Sequence, residues 1–186
     1  MTVPRKIAFI ATDGVEEVEL VKPWDAVEEA GYEPVLIAPH EGEIQSFHDT
    51  DKSQMYHVDA VTDNASPDAF TSLVLPGGVI NGDSLRGDKT VISFIREFNK
   101  QEKPIAAICH SHWLMIEAGV VEGKRVTSWP SIQTDLRNAG ALWQNVCMSS
   151  DGNLITSRNT NDLPAFCLAL LEAINEEVIE FSSSYR

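Results

Sequence analysis

The feature that most constrains the fold is a repeated alternation of short apolar runs with longer amphipathic ones. "KIAFIAT" reads as a strand, and the acidic stretch "DGVEEVELVKPWDAVEEAG" follows with Val18, Val21, Trp24 and Val27 spaced for one helical face. Gly31 supplies the stop, and "YEPVLIAP" is the next strand. Between Gly42 and Ser66 the sequence is more polar, with "IQSFH" and "SQMYHVDAV" as short strands of an excursion or a sheet edge. The alternation resumes at "PDAFTSLVLPGG", a buried strand running into two glycines, then the amphipathic "DKTVISFIREFNKQ" and the strand "KPIAAIC". "SHWLMIEAG" reads as a helix closed by Gly119, "KRVTSW" as a strand and "IQTDLRNAG" as a short helix. "CMSSDGNLITSR" suggests a hairpin centred on Asp151 and Gly152, and "DLPAFCLALLEAINEEVIEF" is the last helix. The terminal Ser182–Arg186 is expected to fray. Such alternation specifies an α/β sandwich, a largely parallel sheet covered by helices on both faces.

No repeat, low-complexity segment or long linker divides the chain, so one domain over residues 1–186 is expected. The 28 acidic residues against 14 Lys plus Arg give a formal charge of -14, which disfavours nucleic acid and anionic membrane surfaces as partners. No apolar run approaches the roughly 18 residues of a membrane span, and "MTVPRKIAFIATDG" lacks a secretory cleavage region. These features lead us to expect a soluble cytoplasmic protein. Trp24, Phe94, Phe98, Phe166 and Trp113 fit packed helix faces.

Three cysteines without paired spacing form neither a disulfide framework nor a CxxC site, and no metal or organic cofactor is expected. Cys147 and Cys167 sit among residues that usually pack and are expected in the core. Cys109 falls at a strand-to-helix junction, in "KPIAAICHSHWLM". Ligands gather at the carboxyl ends of parallel strands, and a helix N-terminus can hold a cysteine as the reactive thiolate. The same position also suits a cysteine that merely ends a buried strand. His110 offers an adjacent proton acceptor or donor, or a packed ring.

Several segments in order, "DGVEEVEL", "LVLPGG", "AICH", "AGVVEGKRVTSWPSIQTDLRNAGALW" and "DGNLITSRNTNDLPAF", resemble the PfpI family of intracellular-protease-like proteins, within the class I glutamine amidotransferase-like superfamily. The resemblance covers almost the whole length. It implies a flavodoxin-like three-layer sandwich with a nucleophile elbow bearing Cys109, followed by His110. It also implies a carboxyl group approaching the thiol from the loop after the first strand, which falls on Glu16, leaving Glu17 and Glu19 as surface or interface acids. A protonated Glu16 would stabilise the thiolate by hydrogen bonding without adding a second charge. Backbone amides of Gly78 and His110 are implied as an oxyanion site, beside Gly77. Some relatives complete a Cys-His-acid arrangement with a carboxylate from a neighbouring subunit, a place that Asp83 occupies here, although "VING" replaces the usual connection. Where many relatives read Cys-His-Gly-Pro, this chain has Ser111 and His112, expected near the mouth of the site. Trp129 and Pro130 replace a frequent Tyr-Pro and keep an aromatic pocket wall.

The functions implied begin with nucleophilic attack on a carbonyl. One is glyoxalase or deglycase chemistry on methylglyoxal or its adducts, in stress protection. Another is an intracellular cysteine peptidase, in which His110 positioned by Asp83 would protonate the leaving amine. A different class is an oxidative-stress sensor or chaperone-like protein whose Cys109 oxidises to a sulfinate; a housekeeping fold without catalysis is the remaining option. A glutamine amidotransferase proper is not expected, because Asn159 and Asp162 stand where a histidine and glutamate would be needed. The resemblance implies a homodimer or larger homo-oligomer, with a small carbonyl compound or a peptide as substrate.

Overall fold

The computed structural model describes residues 6–184, and side chains as far as residue 177. The first strands and helix are β1 (Lys6–Ile10), β2 (Val15–Glu16), α1 (Glu17–Glu29) and β3 (Glu33–Ala38). The polar excursion then supplies β4 (Glu43–His48), β5 (Asp51–His57) and β6 (Ala60–Val61). The middle of the chain forms β7 (Ser72–Leu75), α2 (Val79–Arg86), α3 (Lys89–Lys100), β8 (Ile105–Ile108) and α4 (His112–Ala118). Beyond it lie β9 (Arg125–Val126), α5 (Gln133–Asn138), β10 (Leu142–Trp143), β11 (Met148–Asp151), β12 (Leu154–Ser157) and α6 (Leu163–Ser184). Instead of fraying at Ser182, α6 continues to Ser184; Tyr185 and Arg186 lie outside the described residues.

Seven strands form the central sheet in the order β11-β12-β8-β7-β1-β3-β6. All pairs are parallel except the β11/β12 hairpin at one edge. The period-two geometry of strands divides their side chains between two cores. Ala8, Ile10, Leu73, Leu75, Ile105 and Ala107 face the layer that holds Phe94, Phe98, Leu114 and Leu136, from α3, α4 and α5. Ile7, Phe9, Val74, Ala106 and Ile108 face the opposite layer, where α1 and α6 bring Leu20, Val27, Phe166 and Leu170. The sheet is therefore buried on both sides, which is why its strands read as nearly continuous apolar runs.

Helix α3 shows how local sequence sets one layer. Asp88 caps it by accepting from the N–H groups of Thr90 (2.8 Å) and Val91 (3.1 Å), which satisfies two donors of the first turn. Val91, Ile92, Phe94, Ile95 and Phe98 then recur at helical spacing and are buried.

The excursion serves as both excursion and edge. β4 and β5 pair antiparallel and join β2 in a small second sheet, while β6 closes the edge of the main one. β9 and β10 form a separate two-stranded pair.

Two expectations about burial are corrected. Cys147 is exposed, because it lies in the irregular connection between β10 and β11, and Cys167 is only half-buried on α6. In α1 the inward positions are Glu19, Leu20, Pro23 and Val27, whereas Val18, Val21 and Trp24 are half-buried on its flank. Trp24 still packs on Phe9, with ring centroids 5.1 Å apart. Among the described residues, no helix is long and apolar enough to cross a membrane.

Candidate active site

The carboxyl ends of β1, β7, β8 and β12 open on one side of the sheet, where ligands of parallel sheets collect. A cavity of ≈ 620 Å³ lies there, lined by residues that follow each of these strands: Gly14, Gly78, Cys109 and Asn159. The tip of the β4–β5 hairpin covers one side with Phe47, Asp49 and Thr50, and Trp129 forms another wall.

Cys109 occupies the turn between β8 and α4 with φ 60°, in the left-handed region that a non-glycine residue adopts only at a cost. Local bonds hold this turn. Ser111 Oγ donates to the Ile108 carbonyl (2.7 Å) and accepts from the Ile108 N–H (3.1 Å). His112 Nδ1 lies 2.7 Å from the Cys109 carbonyl oxygen and so carries the proton on that nitrogen, leaving Nε2 unprotonated and without a partner in the core. Ser111 and His112 are thus fully buried braces of the elbow, and His112 does not line the cavity. The physical reason is the tight turn over Cys109–Ser111, which rotates the next residues beneath the elbow and away from its mouth.

The carboxyl group against the thiol belongs to Glu19, which is 1% exposed and accepts from the Gly77 N–H (3.0 Å), and a Cβ placed on Gly77 would meet both the Glu19 carboxyl and the Cys109 side chain. This corrects the assignment of Glu19 to the surface, and it replaces Glu16 as the thiol's neighbour. Glu16 is the residue before α1, and one further helical turn is needed to bring a side chain from the cavity edge to the sheet. Glu16 lines the cavity farther out, where its Oε2 accepts from the Asp49 N–H (3.1 Å) and its Oε1 lies 3.8 Å from His48 Nδ1.

Burial, reinforced by the charge of Glu16, pushes the Glu19 carboxyl up to about 8, so it keeps its proton at neutral pH. Burial also raises Glu16 above the ordinary carboxylate range. Burial and a charged Glu19 push the Cys109 thiol up, whereas the N–H groups of His110 and Gly78 favour its thiolate. Sulfur and carboxyl therefore act as one unit: the penalty that Glu19 imposes on a thiolate vanishes when Glu19 is protonated.

His110 Nδ1 lies 3.2 Å from Cys109 Sγ. Burial holds its imidazole below the ordinary histidine range, hence neutral at pH 7. Its ring sits between Trp113 (5.2 Å) and Trp129 (5.7 Å), and Trp113 is fixed by Nε1–H donation to Asp135 (2.9 Å).

Cys109, His110, Glu16, Gly78 and Trp129 thus meet at one cavity. Gly77 stands behind it, its N–H already committed to Glu19, so Gly78 and His110 remain the two amides that face the sulfur. Gly78 has φ 102°, and a Cβ there would run into the Gly14 carbonyl. Asp83 is exposed on α2 and does not line the cavity. Asn81, which no motif in the sequence singles out, is fully buried and ties the loops together. Its amide donates to the carbonyls of Pro76 (3.0 Å) and Gly77 (3.1 Å), and its Oδ1 accepts from the Thr12 N–H (2.8 Å). Among the described residues no cluster of His, Cys, Asp and Glu could hold a metal ion.

The chain is similar over most of its length to known proteins. Residues 5–173 match the family model described as the DJ-1/PfpI family. The chain is 38% identical over 164 residues to the protein/nucleic acid deglycase 2 of Escherichia coli, covering 87% of this chain and 93% of that one. It is 34% identical over 161 residues to a deglycase of Thermococcus kodakarensis, covering 87% and 94%. Among solved structures, a two-domain protein of Anabaena variabilis with DJ-1/ThiJ/PfpI-like and ferritin-like domains superposes with a TM-score of 0.86 at 30% identity, over 91% of this chain and 48% of that one.

Proposed function

Because this chain belongs to the DJ-1/PfpI family, we propose that it is a cysteine-dependent enzyme that attacks small carbonyl compounds, with methylglyoxal or its adducts as substrate. One observation carries the reading: Cys109 is held in a strained elbow at the base of a cavity, with two amides, a neutral imidazole and a protonatable carboxyl group around its sulfur.

The chemistry follows from those groups. The sulfur of Cys109 bonds to the aldehyde carbon while the thiol proton passes to His110 Nδ1 and on to the new alkoxide. The N–H groups of Gly78 and His110 stabilise the oxyanion before that proton arrives. Protonated Glu19 supports the sulfur while it carries negative charge. His110, neutral again, removes the proton from the former aldehyde carbon and returns it to the neighbouring carbon, while the hydroxyl proton on the former aldehyde carbon passes to the ketone oxygen, leaving a lactoyl thioester. Water then cleaves the thioester, giving lactate and the free thiol. On a hemiaminal adduct the sulfur would instead take the place of the amine, the C–N bond breaking as the thiol proton reaches the nitrogen through His110, to give the same thiohemiacetal. Asp83 from a second copy of the chain would orient His110 if the protein is a homodimer, and Asp83→Asn would then lower turnover without altering Cys109 alkylation.

The test is time-resolved NMR of methylglyoxal with wild-type and Cys109→Ala protein, without amine buffers or glutathione. Lactate formed over many turnovers by the wild type alone supports the reading. Equal lactate from the variant would overturn it. No turnover, with selective peroxide oxidation of Cys109, would shift the assignment to a redox sensor, and Cys109-dependent peptide cleavage would shift it to a peptidase.

A further inference from the structure

The mouth of the cavity has a consistent charge. Glu16 and Asp49 line it, none of the lining residues described is a lysine or arginine, and the imidazole of exposed His48 lies 3.8 Å from Glu16. The two outer acids belong to one braced unit, since the Asp49 N–H donates to Glu16 Oε2 (3.1 Å) and so ties the hairpin tip to the loop after β1. Phe47 and Trp129 line the same cavity, and aromatic rings sharing a cavity with carboxylates favour a cation. The formal charge of -14 gives the long-range field the same sign.

We propose that this mouth selects carbonyl compounds by charge. It admits neutral carbonyls and those carried on an ammonium or guanidinium group, and rejects those bearing a carboxylate or phosphate. The inference rests on Cys109 being the attacking group, but charge selection at the mouth can be measured separately from turnover. An anion approaching the sulfur passes the exposed Asp49 and then Glu16, whose largely buried carboxyl is the less screened of the two. The expected penalty is about tenfold or more in rate at low salt.

The experiment measures alkylation of Cys109 by iodoacetamide and by iodoacetate at pH 8, followed by peptide mass spectrometry. The ratio of the two rates is divided by the same ratio for a small neutral thiol in the same buffer. In the wild type at low salt, iodoacetate should be about tenfold more disfavoured than it is with the small thiol, and added salt should shrink the difference. Asp49→Asn, a change on the exposed hairpin turn, should reduce the discrimination, and Glu16→Gln should reduce it further. The salt titration of the wild type reads the mouth and the overall charge together, and the loss of discrimination in Asp49→Asn beyond that in a variant neutralising an acid far from the cavity, such as Glu122→Gln, assigns it to the mouth. A wild-type ratio equal to that of the free thiol, independent of salt, overturns the inference even if methylglyoxal is turned over. Strong charge discrimination without turnover supports the inference and removes the proposed reaction. With turnover present, a 2-oxoaldehyde bearing a carboxylate beyond its ketone, converted as efficiently as methylglyoxal, would also overturn it.

Discussion

Glu19→Gln isolates the most unusual ionisation in the site. Glu19 is shifted from 4.5 to about 8 and is 1% exposed, so water screens the effect little. A carboxyl that binds its proton more tightly when folded contributes stability that is fully present below pH 4.5 and is lost as pH rises through about 8. Over that window the native chain holds a proton that the unfolded chain has released, so stability falls by about 1.4 kcal/mol per pH unit. Between pH 5 and pH 7 the loss sums to about 2.5 kcal/mol, or about 5–10 °C in Tm for a domain of this size. Glutamine keeps the volume and the acceptor for the Gly77 N–H but cannot titrate. Urea unfolding of both proteins at pH 5, 6, 7 and 8 should show the variant gaining on the wild type by about 2.5 kcal/mol from pH 5 to pH 7. A stability difference constant with pH to within about 0.5 kcal/mol would refute the assignment of the buried proton to Glu19.

His112 titrates in the opposite sense. Burial lowers it from 6.5 to about 4, so its contribution is present above pH 6.5 and lost as pH falls through about 4. His112→Asn retains an amide donor near the Cys109 carbonyl and cannot take up the proton, so it should gain on the wild type by about 2 kcal/mol from pH 7 to pH 5, measured by urea unfolding. Phe98→Ala removes a fully buried ring stacked 5.3 Å from Phe94, and should cost about 3–5 kcal/mol by the same assay while leaving the pH dependence unchanged. Cys147→Ala alters an exposed loop residue and should change stability by less than about 0.5 kcal/mol, with lactate formation unaffected.

Much of the architecture was legible because burial on both faces of a parallel sheet writes itself into the sequence. The runs around Ile7, Leu73 and Ile105 are apolar throughout, and Val91 to Phe98 repeat at helical spacing. The strand-to-helix junction located Cys109, and the double glycine located Gly78. Glu19 is left among the surface or interface acids once the resemblance puts the carboxyl on Glu16, and the spacing of the valines and Trp24, which points to the flank of α1, gives no signal against that. A better signal was Glu19, Pro23 and Val27, spaced by four, with Leu20 alongside them. An acid on that line must be buried, and a buried acid beside the cysteine's strand is a candidate partner. Ser111 and His112 are expected at the mouth because they stand where many relatives read Gly-Pro after the cysteine and histidine. Only the three-dimensional turn over Cys109–Ser111 reveals that they point beneath it. Asn81 left no trace, since its bonds reach Thr12, 69 residues away in sequence, and the loop after β7. The exposure of Cys147 depends on where β11 begins, a boundary that the apolar neighbours Val146 and Met148 concealed.

The central claim, that Cys109 forms the covalent bond to the carbonyl, is tested most directly by trapping the protein during turnover. Wild-type protein mixed with methylglyoxal would be acid-quenched at successive times, digested, and its cysteine peptides weighed. The account predicts an adduct of one methylglyoxal on the peptide carrying Cys109, present while substrate remains and gone once it is consumed. Turnover with no such adduct at any time, or with adducts confined to exposed Cys147, would contradict it.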